Sequence, residues 1–106
     1  MGKILINRIM KANFKKVMVE VSFDNFSEMD VAKELGNFIH ANTSDIGLDD
    51  VAREIYHSKE DVELEIPEEY AHEISAMVSH KDCRFIAAVK RAIINELTIK
   101  EEYGNK

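Results

Sequence analysis

Two short arrangements in this chain contain residues that could do chemistry. His80 and Cys83 lie three positions apart, which would suit two metal ligands or a thiolate beside a base. Glu69 and His72 have the same separation and would share one face of a helix. A structural zinc site needs four ligands, and a di-iron site in a helix bundle needs two Glu-x-x-His pairs and two further Glu. The chain has one cysteine and one such pair, so we expect no metal site and no cofactor.

Catalysis would need a nucleophile or acid, a base and an orienting partner gathered in a pocket. His80 and Cys83 fall on a short polar link between two predicted helices, and the sequence has no Gly-rich phosphate loop. A lone cysteine at the start of a helix is most often a buried structural residue. We therefore predict a protein that is not an enzyme, and a small enzyme that uses His80 and Cys83 is a further alternative.

The composition predicts one folded domain in the cytoplasm. The 106 residues are 45% hydrophobic and 32% charged, and a chain of this length normally forms one core. A single cysteine excludes an intrachain disulfide, and the apolar run at residues 4–6 is too short for a secretion signal or a membrane span. We expect a domain over residues 10–99, an extra strand or a basic arm at residues 1–9, and a frayed tail at residues 100–106.

The net charge of −6 is unevenly distributed along the chain. Residues 1–19 contain no acid, whereas residues 45–73 contain eleven acids and two bases. The bases at the start of the chain are Lys3, Arg8, Lys11, Lys15 and Lys16. They predict an electrostatic contact with a partner or a self-contact between the basic and acidic halves, and solvated faces without a role are the simplest alternative. The overall negative charge argues against a general nucleic-acid binder.

Alternating apolar and polar residues predict two strands, over residues 14–24 and 61–66. In the first strand, the residues expected on one face are Val17, Val19, Val21 and Phe23. A weaker strand could form earlier, around Ile4, Ile6 and Ile9. Because each of the two clear strands has one polar face, we expect a sheet with one solvated side and one side covered by helices.

Four helices are predicted from apolar residues that recur with the 3.6-residue period of an α-helix. The first is expected to begin at a capping box formed by Ser27 and Asp30. Gly36 interrupts the apolar stripe of this helix, which indicates close packing against a neighbour. The third helix is expected to follow Pro67, and the stripe of the fourth to begin at Phe85. The prediction is an α+β fold in the order (β)βααβαα, with two or three short antiparallel strands packed with four helices.

The start of the second predicted helix resembles the first helix of the DNA-binding headpiece of LacI-type repressors. Residues 48–54, LDDVARE, fit the pattern of that helix. In that family a turn with Gly and a recognition helix follow. Here residues 55–57 continue the apolar stripe, and residues 59–66 are acidic and alternate like a strand. Because acidic residues would repel DNA phosphates, we do not expect a helix-turn-helix.

A longer stretch, residues 33–58, resembles short phage and prophage proteins. It combines a helix end of the form Leu-Gly-Asn-x-Ile-x-x-x-Thr with Asp-x-Ala-Arg-x-Ile-Tyr, and an acidic strand and two helices follow. The resemblance would cover residues 14–97. That group has no assigned activity, so no functional residue is carried over. The resemblance implies a cytoplasmic protein in an infected or lysogenic bacterium.

The apolar residues suggest a function in binding other proteins. The chain has five Met, including Met18 and Met29 on faces expected to be exposed, and a broad apolar stripe on the last helix. We predict an interaction or assembly protein that acts through self-association or a protein partner, unless these side chains only fill the core. The alternative is a nucleic-acid-associated accessory protein that uses the basic residues near the start of the chain.

Overall fold

The computed structural model describes residues 9–98. The elements in chain order are β1 (Ile9–Ala12), β2 (Val17–Ser22), β3 (Asn25–Met29), α1 (Ala32–Asn42), α2 (Ile46–Tyr56), β4 (Leu64–Pro67), α3 (Glu68–Ser79) and α4 (Ala87–Glu96). This order confirms the predicted α+β fold with its four helices and adds one strand, β3. The earliest part of the weak first strand, Ile4 and Ile6, lies outside the described residues, and β1 begins at Ile9.

The strands form two antiparallel pairs, where we expected one sheet. β1 pairs with β4, so that Met10 lies opposite Ile66, and β2 pairs with β3, so that Val19 lies opposite Ser27. The partner of β1 comes from a distant part of the chain, which a local alternation of residues cannot specify. The helices cover one face of the β2–β3 pair, since α4 packs against β2.

One core draws apolar side chains from seven of the eight elements. Its largest fully buried side chains are Phe14, Leu35, Ile39, Leu48, Ile55, Ile66, Ile74 and Ile93. No polar or charged side chain between residues 9 and 98 is buried. The core therefore carries no desolvation cost of polar side chains that internal hydrogen bonds would have to offset. The element that contributes nothing to the core is β3, whose five residues are all exposed.

The closest contact between helices lies at Gly36, where α1 crosses α2. A Cβ atom added at Gly36 would lie 2.9 Å from the carbonyl oxygen of Ala52 and 2.9 Å from the Cβ of Tyr56. Real Cβ atoms do not approach backbone so closely, so the crossing requires a residue without a side chain. The close packing expected at this glycine is confirmed.

The predicted start of the first helix is wrong. Ser27 lies in β3, and α1 begins only at Ala32. Asp30 still has a capping role, because its carboxylate accepts a hydrogen bond from the N–H of Ala32 at 3.0 Å. Asp30 therefore marks the start of the helix as expected, but Ser27 takes no part in the cap. The residues before Asp30 make their backbone hydrogen bonds by pairing with β2 instead of continuing the helix.

The predicted long strand of residues 14–24 is also shorter than expected. Val17 and Val19 are buried as predicted, but Val21 and Phe23 are exposed. The chain turns at the end of β2, and Val21 and Phe23 border an open groove beside the start of α4. Similarly, the second strand begins at Leu64 rather than at residue 61, and Val62 is exposed.

The remaining helices follow their local signals closely. Asp45 caps α2, with its side chain accepting the N–H groups of Gly47 and Leu48. α3 begins immediately after Pro67 as predicted, whereas α4 begins at Ala87, two residues later than the apolar stripe suggested. The strand β4 follows α2, with no second helix between them, which confirms that residues 48–66 are not a helix-turn-helix.

Candidate protein-interaction surface

The β2–β3 hairpin exposes a cluster of apolar side chains. With their exposed fractions these are Met18 (54%), Val21 (58%), Phe23 (92%), Phe26 (59%) and Met29 (38%). We call these five residues the hairpin patch. Isolated apolar residues are normal on a protein surface, but a group that includes two phenylalanines on one hairpin is characteristic of a contact site.

Polar contacts at the tip of the hairpin hold this arrangement. Asp24 has a φ of 69°, in the left-handed region that Asp and Asn tolerate better than most residues. Its N–H donates to the Glu20 carboxylate at 2.7 Å, and the side-chain amide of Asn25 donates to the Ser22 hydroxyl at 3.1 Å. The pairing register shifts between Glu20 and Ser22. The turn is thus fixed by polar groups, and Phe23 is left at its outermost point.

The outer face of the hairpin combines apolar and acidic side chains. Cross-strand pairing sets Glu20 opposite Phe26 and Met18 opposite Glu28, so Met18 and Phe26 are diagonal neighbours. The segment from Val17 to Met29 also contains Asp24 but no Lys, Arg or His. The surface is therefore apolar with an acidic surround.

A groove extends the hairpin patch towards α4. It has a volume of about 470 Å³, and its lining residues are Glu20, Val21, Ser22, Phe23, Ala87, Ala88 and Arg91. The small side chains at the start of α4 leave this space open beside Val21 and Phe23. The inner side of the hairpin tip is consequently accessible from this groove.

Two further grooves lie between α1, α3 and the segment before α4. One, of about 530 Å³, is lined by Phe38 and Phe85, whose ring centroids are 5.6 Å apart. The other, of about 420 Å³, is lined in part by His80 and Cys83. His80 and Cys83 thus line the same groove, but they are not aligned as a catalytic pair.

His80 and Cys83 contact each other only through backbone atoms in this part of the structure. The Cys83 N–H donates to the His80 carbonyl at 3.0 Å, and the His80 Nδ1 accepts the N–H of Asp82 at 3.1 Å. Cys83 is only 6% exposed. In the Glu69–His72 arrangement, the carboxylate that lies near the His72 imidazole, at 3.7 Å, is that of Glu68. Within residues 9–98, no three His, Cys, Asp or Glu side chains form a group that could hold a metal ion.

The basic residues predicted for an electrostatic contact do not form one cluster in the described part of the chain. Lys3 and Arg8 lie outside the described residues, and Lys11 is exposed on β1. Lys15 donates to Asp30 at 2.9 Å, and Lys16 donates to Asp61 at 3.1 Å. The hydrogen bond to Asp61 raises the pKa of Lys16. Lys16 therefore makes the contact between the basic and acidic halves that the sequence allowed.

The Lys15–Asp30 pair predicts a pH dependence of stability. The hydrogen bond from Lys15 lowers the pKa of Asp30 below its usual value of 3.8. A carboxyl with a lower pKa in the folded chain stabilises the fold above its unfolded pKa, and this contribution is lost as the pH falls through its folded pKa. Asp30→Asn, which removes the charge, should therefore lower the melting temperature at neutral pH and have a much smaller effect in strong acid.

Thermal melts of the wild-type protein and of Asp30→Asn, at neutral pH and in strong acid, would check this prediction. Asp61→Asn is the matched control, because Asp61 is 87% exposed and its pair with Lys16 is more strongly screened by water. An equal loss of stability from Asp30→Asn at both pH values would contradict an electrostatic role.

The sequence pattern does not predict the hairpin patch, because it predicts one long strand followed by the start of a helix over these residues. The alternating pattern puts Phe23 on the apolar face of a long strand, and it assigns no role to Phe26. The signal that could have found the hairpin is Asp24-Asn25, a turn-forming pair, followed by the alternation of Phe26 and Glu28. The chain matches no protein-family model, no curated protein and no solved structure, so its function has to be inferred from this surface.

Proposed function

We propose that this chain is a non-catalytic interaction protein that binds another protein surface through the hairpin patch. The observation that supports the proposal is that only Val17 and Val19 of this hairpin are buried, while five of its apolar side chains are exposed. Phe23 and Phe26 alone leave about 300 Å² of apolar surface in water, at about 200 Å² for a whole phenylalanine side chain. An apolar patch of several hundred Å² is typical of a contact site.

The charge of the patch favours a protein over a nucleic acid as the partner. The hairpin carries Glu20, Asp24 and Glu28 and no base, so it would repel phosphate groups. Lys15 and Lys16 are engaged with carboxylates. No observation on the described residues supports the nucleic-acid alternative.

The proposed setting is the cytoplasm of a bacterium that carries a phage or a related mobile element. Its support is the resemblance of residues 33–58 to short phage and prophage proteins. None of the helices in residues 9–98 is long enough and apolar enough to span a bilayer.

Two measurements test whether the hairpin patch is a contact site rather than part of the folding core. First, the double variant Phe23→Ser, Phe26→Ser should melt within a few degrees of the wild-type protein, because substitutions at exposed positions usually change stability by no more than about 0.5 kcal/mol. Second, p-benzoylphenylalanine at position 26 should give photo-crosslinked products of discrete mass, with the purified protein or in the expressing cell.

The matched control carries the photo-crosslinker at His72, whose side chain is 71% exposed but lies outside the hairpin. We expect no discrete product from that position. Absence of any product at position 26, or the same products at both positions, would contradict the proposal. A large loss of stability in the double serine variant would show instead that the patch serves folding.

A further inference from the structure

Building on the proposed function, we infer that the hairpin patch binds a second copy of this chain by antiparallel pairing of β3 with β3 of the copy. Within the described residues β3 pairs only with β2, and all five of its residues are exposed. Its outer edge therefore presents alternate N–H and C=O groups that no neighbouring strand uses. A sheet edge of this kind is the usual site for adding another strand.

β3 also lacks the features that normally protect a sheet edge. Natural edge strands are commonly blocked by Lys, by Pro or by a covering helix or loop. β3 has the sequence NFSEM, with neither Lys nor Pro, and among residues 9–98 no strand other than β2 pairs with it. Glu28 is the only charged residue in the strand. The edge can therefore pair with a partner strand that has no acidic residue opposite Glu28.

A two-fold axis through Ser27 gives a register that meets this condition. In a symmetric antiparallel pair, each residue lies opposite the residue on the other side of the axis, so Phe26 would face Glu28 of the copy. An axis through Phe26 would instead set Glu28 against Asp24, and an axis through Glu28 would set it against itself. Like charges directly opposite each other are destabilising. The Ser27 register also sets one acid opposite another, Asp24 against Asp30, but Lys15 is bound to the Asp30 carboxylate and offsets the repulsion, so this register is favoured. It also makes the two Phe26 rings diagonal neighbours, within reach of each other.

The charges along the hairpin are complementary in the same arrangement. Lys15 and Lys16 precede β2 at the open end of the hairpin, whereas Glu20 and Asp24 lie towards its tip. Antiparallel pairing of two copies places the acidic tip of one beside the basic open end of the other. Asp24 of the copy would lie opposite Asp30, where Lys15 is already bound to the carboxylate and can interact with both acids. A parallel arrangement would set tip against tip and repel.

The size of the contact fits a weak dimer. Pairing of β3 with its copy brings the two Phe26 rings together but covers only part of the hairpin patch, so the contact is smaller than the roughly 1,200 Å² at which stable specific interfaces begin. We therefore expect a dimer that dissociates on dilution and persists at moderate salt, because apolar contacts supply most of the contact surface.

A disulfide trap tests the partner and the register together. Residues opposite each other in antiparallel strands have Cα atoms about 4.5 to 5.5 Å apart, which is within the range of a disulfide. Ser27→Cys in the full chain should therefore give a covalent dimer under mild oxidation. The matched control is Phe23→Cys, which is the more exposed position but lies far from the axis. Cys83 is buried, so the wild-type protein should give little background.

We expect the dimer to form about tenfold faster from Ser27→Cys than from Phe23→Cys, because pairing holds the two thiols at a high effective concentration. Light scattering after size exclusion should show the wild-type mass rising towards a dimer with concentration. A monomer at every concentration, or equal crosslinking by the two variants, would overturn the inference. If position 26 still crosslinks to other proteins, only the second copy as partner is wrong; if it crosslinks to nothing, the proposed function is wrong as well.

Discussion

Phe14→Ala should lower the free energy of unfolding by about 3–5 kcal/mol, whereas Phe23→Ala should change it by no more than about 0.5 kcal/mol. The two residues have identical side chains in opposite surroundings. Phe14 is fully buried, while Phe23 is 92% exposed. Truncating Phe14 removes a buried ring and leaves a cavity in a closely packed core, but truncating Phe23 removes atoms that contact mainly water. Urea denaturation of the two variants and the wild-type protein would measure the difference.

The backbone of Phe14, which the substitution leaves unchanged, also joins two parts of the fold. Its carbonyl accepts the N–H of Val31 at 2.8 Å and so ties the segment before β2 to the start of α1. Phe14→Leu, which keeps much of the apolar volume, should lose much less stability than Phe14→Ala. Equal destabilisation by Phe14→Ala and Phe23→Ala would mean that the hairpin tip is packed in solution, and the hairpin patch would then not be free to bind a partner.

Gly36→Ala should destabilise the fold by about 1–3 kcal/mol, although alanine is the better helix former. Helix propensity alone would favour the variant by about 1 kcal/mol. The added methyl group, however, would lie 2.9 Å from the Ala52 carbonyl oxygen and from the Tyr56 Cβ, so α1 and α2 would have to move apart. Neither contact is with the flexible end of a side chain, and the strain therefore outweighs the propensity.

Asn37→Ala is the matched control for this prediction. Asn37 is exposed and follows Gly36 directly in α1, so the same propensity gain should appear there without any contact with α2. Thermal or urea denaturation should show Asn37→Ala to be neutral or slightly stabilising and Gly36→Ala to be clearly destabilising. A stabilising Gly36→Ala would contradict the close helix crossing.

The contrast between core and hairpin supports the functional proposal. The core is closed without any contribution from β3, so the exposed residues of the hairpin patch are not needed to complete the fold. Exposed apolar side chains carry a risk of aggregation, and a protein retains them where they serve a contact. The acidic residues around the patch limit that risk, and they restrict the partners to those that avoid further acids.

Much of the fold could be predicted from the local sequence. The four helices and the α+β class followed from the 3.6-residue period and from turn signals such as Pro67, because both depend on residues close together in the chain. The need for a small residue at Gly36 was also visible, since a glycine inside a helix stripe costs stability unless a neighbour requires it.

Other features depended on contacts between distant parts of the chain. The alternation of Val17, Val19, Val21 and Phe23 predicts one shared strand face, but only the first two are buried, because β2 ends at Ser22 and the hairpin tip borders an open groove beside α4. The division into two strand pairs, the partner of β1 and the exposure of β3 likewise depended on which element packs where. A sequence pattern thus determined how each segment of this protein folds and which face is apolar. Only the tertiary structure decided which apolar faces are covered, because cover is supplied by elements distant in sequence.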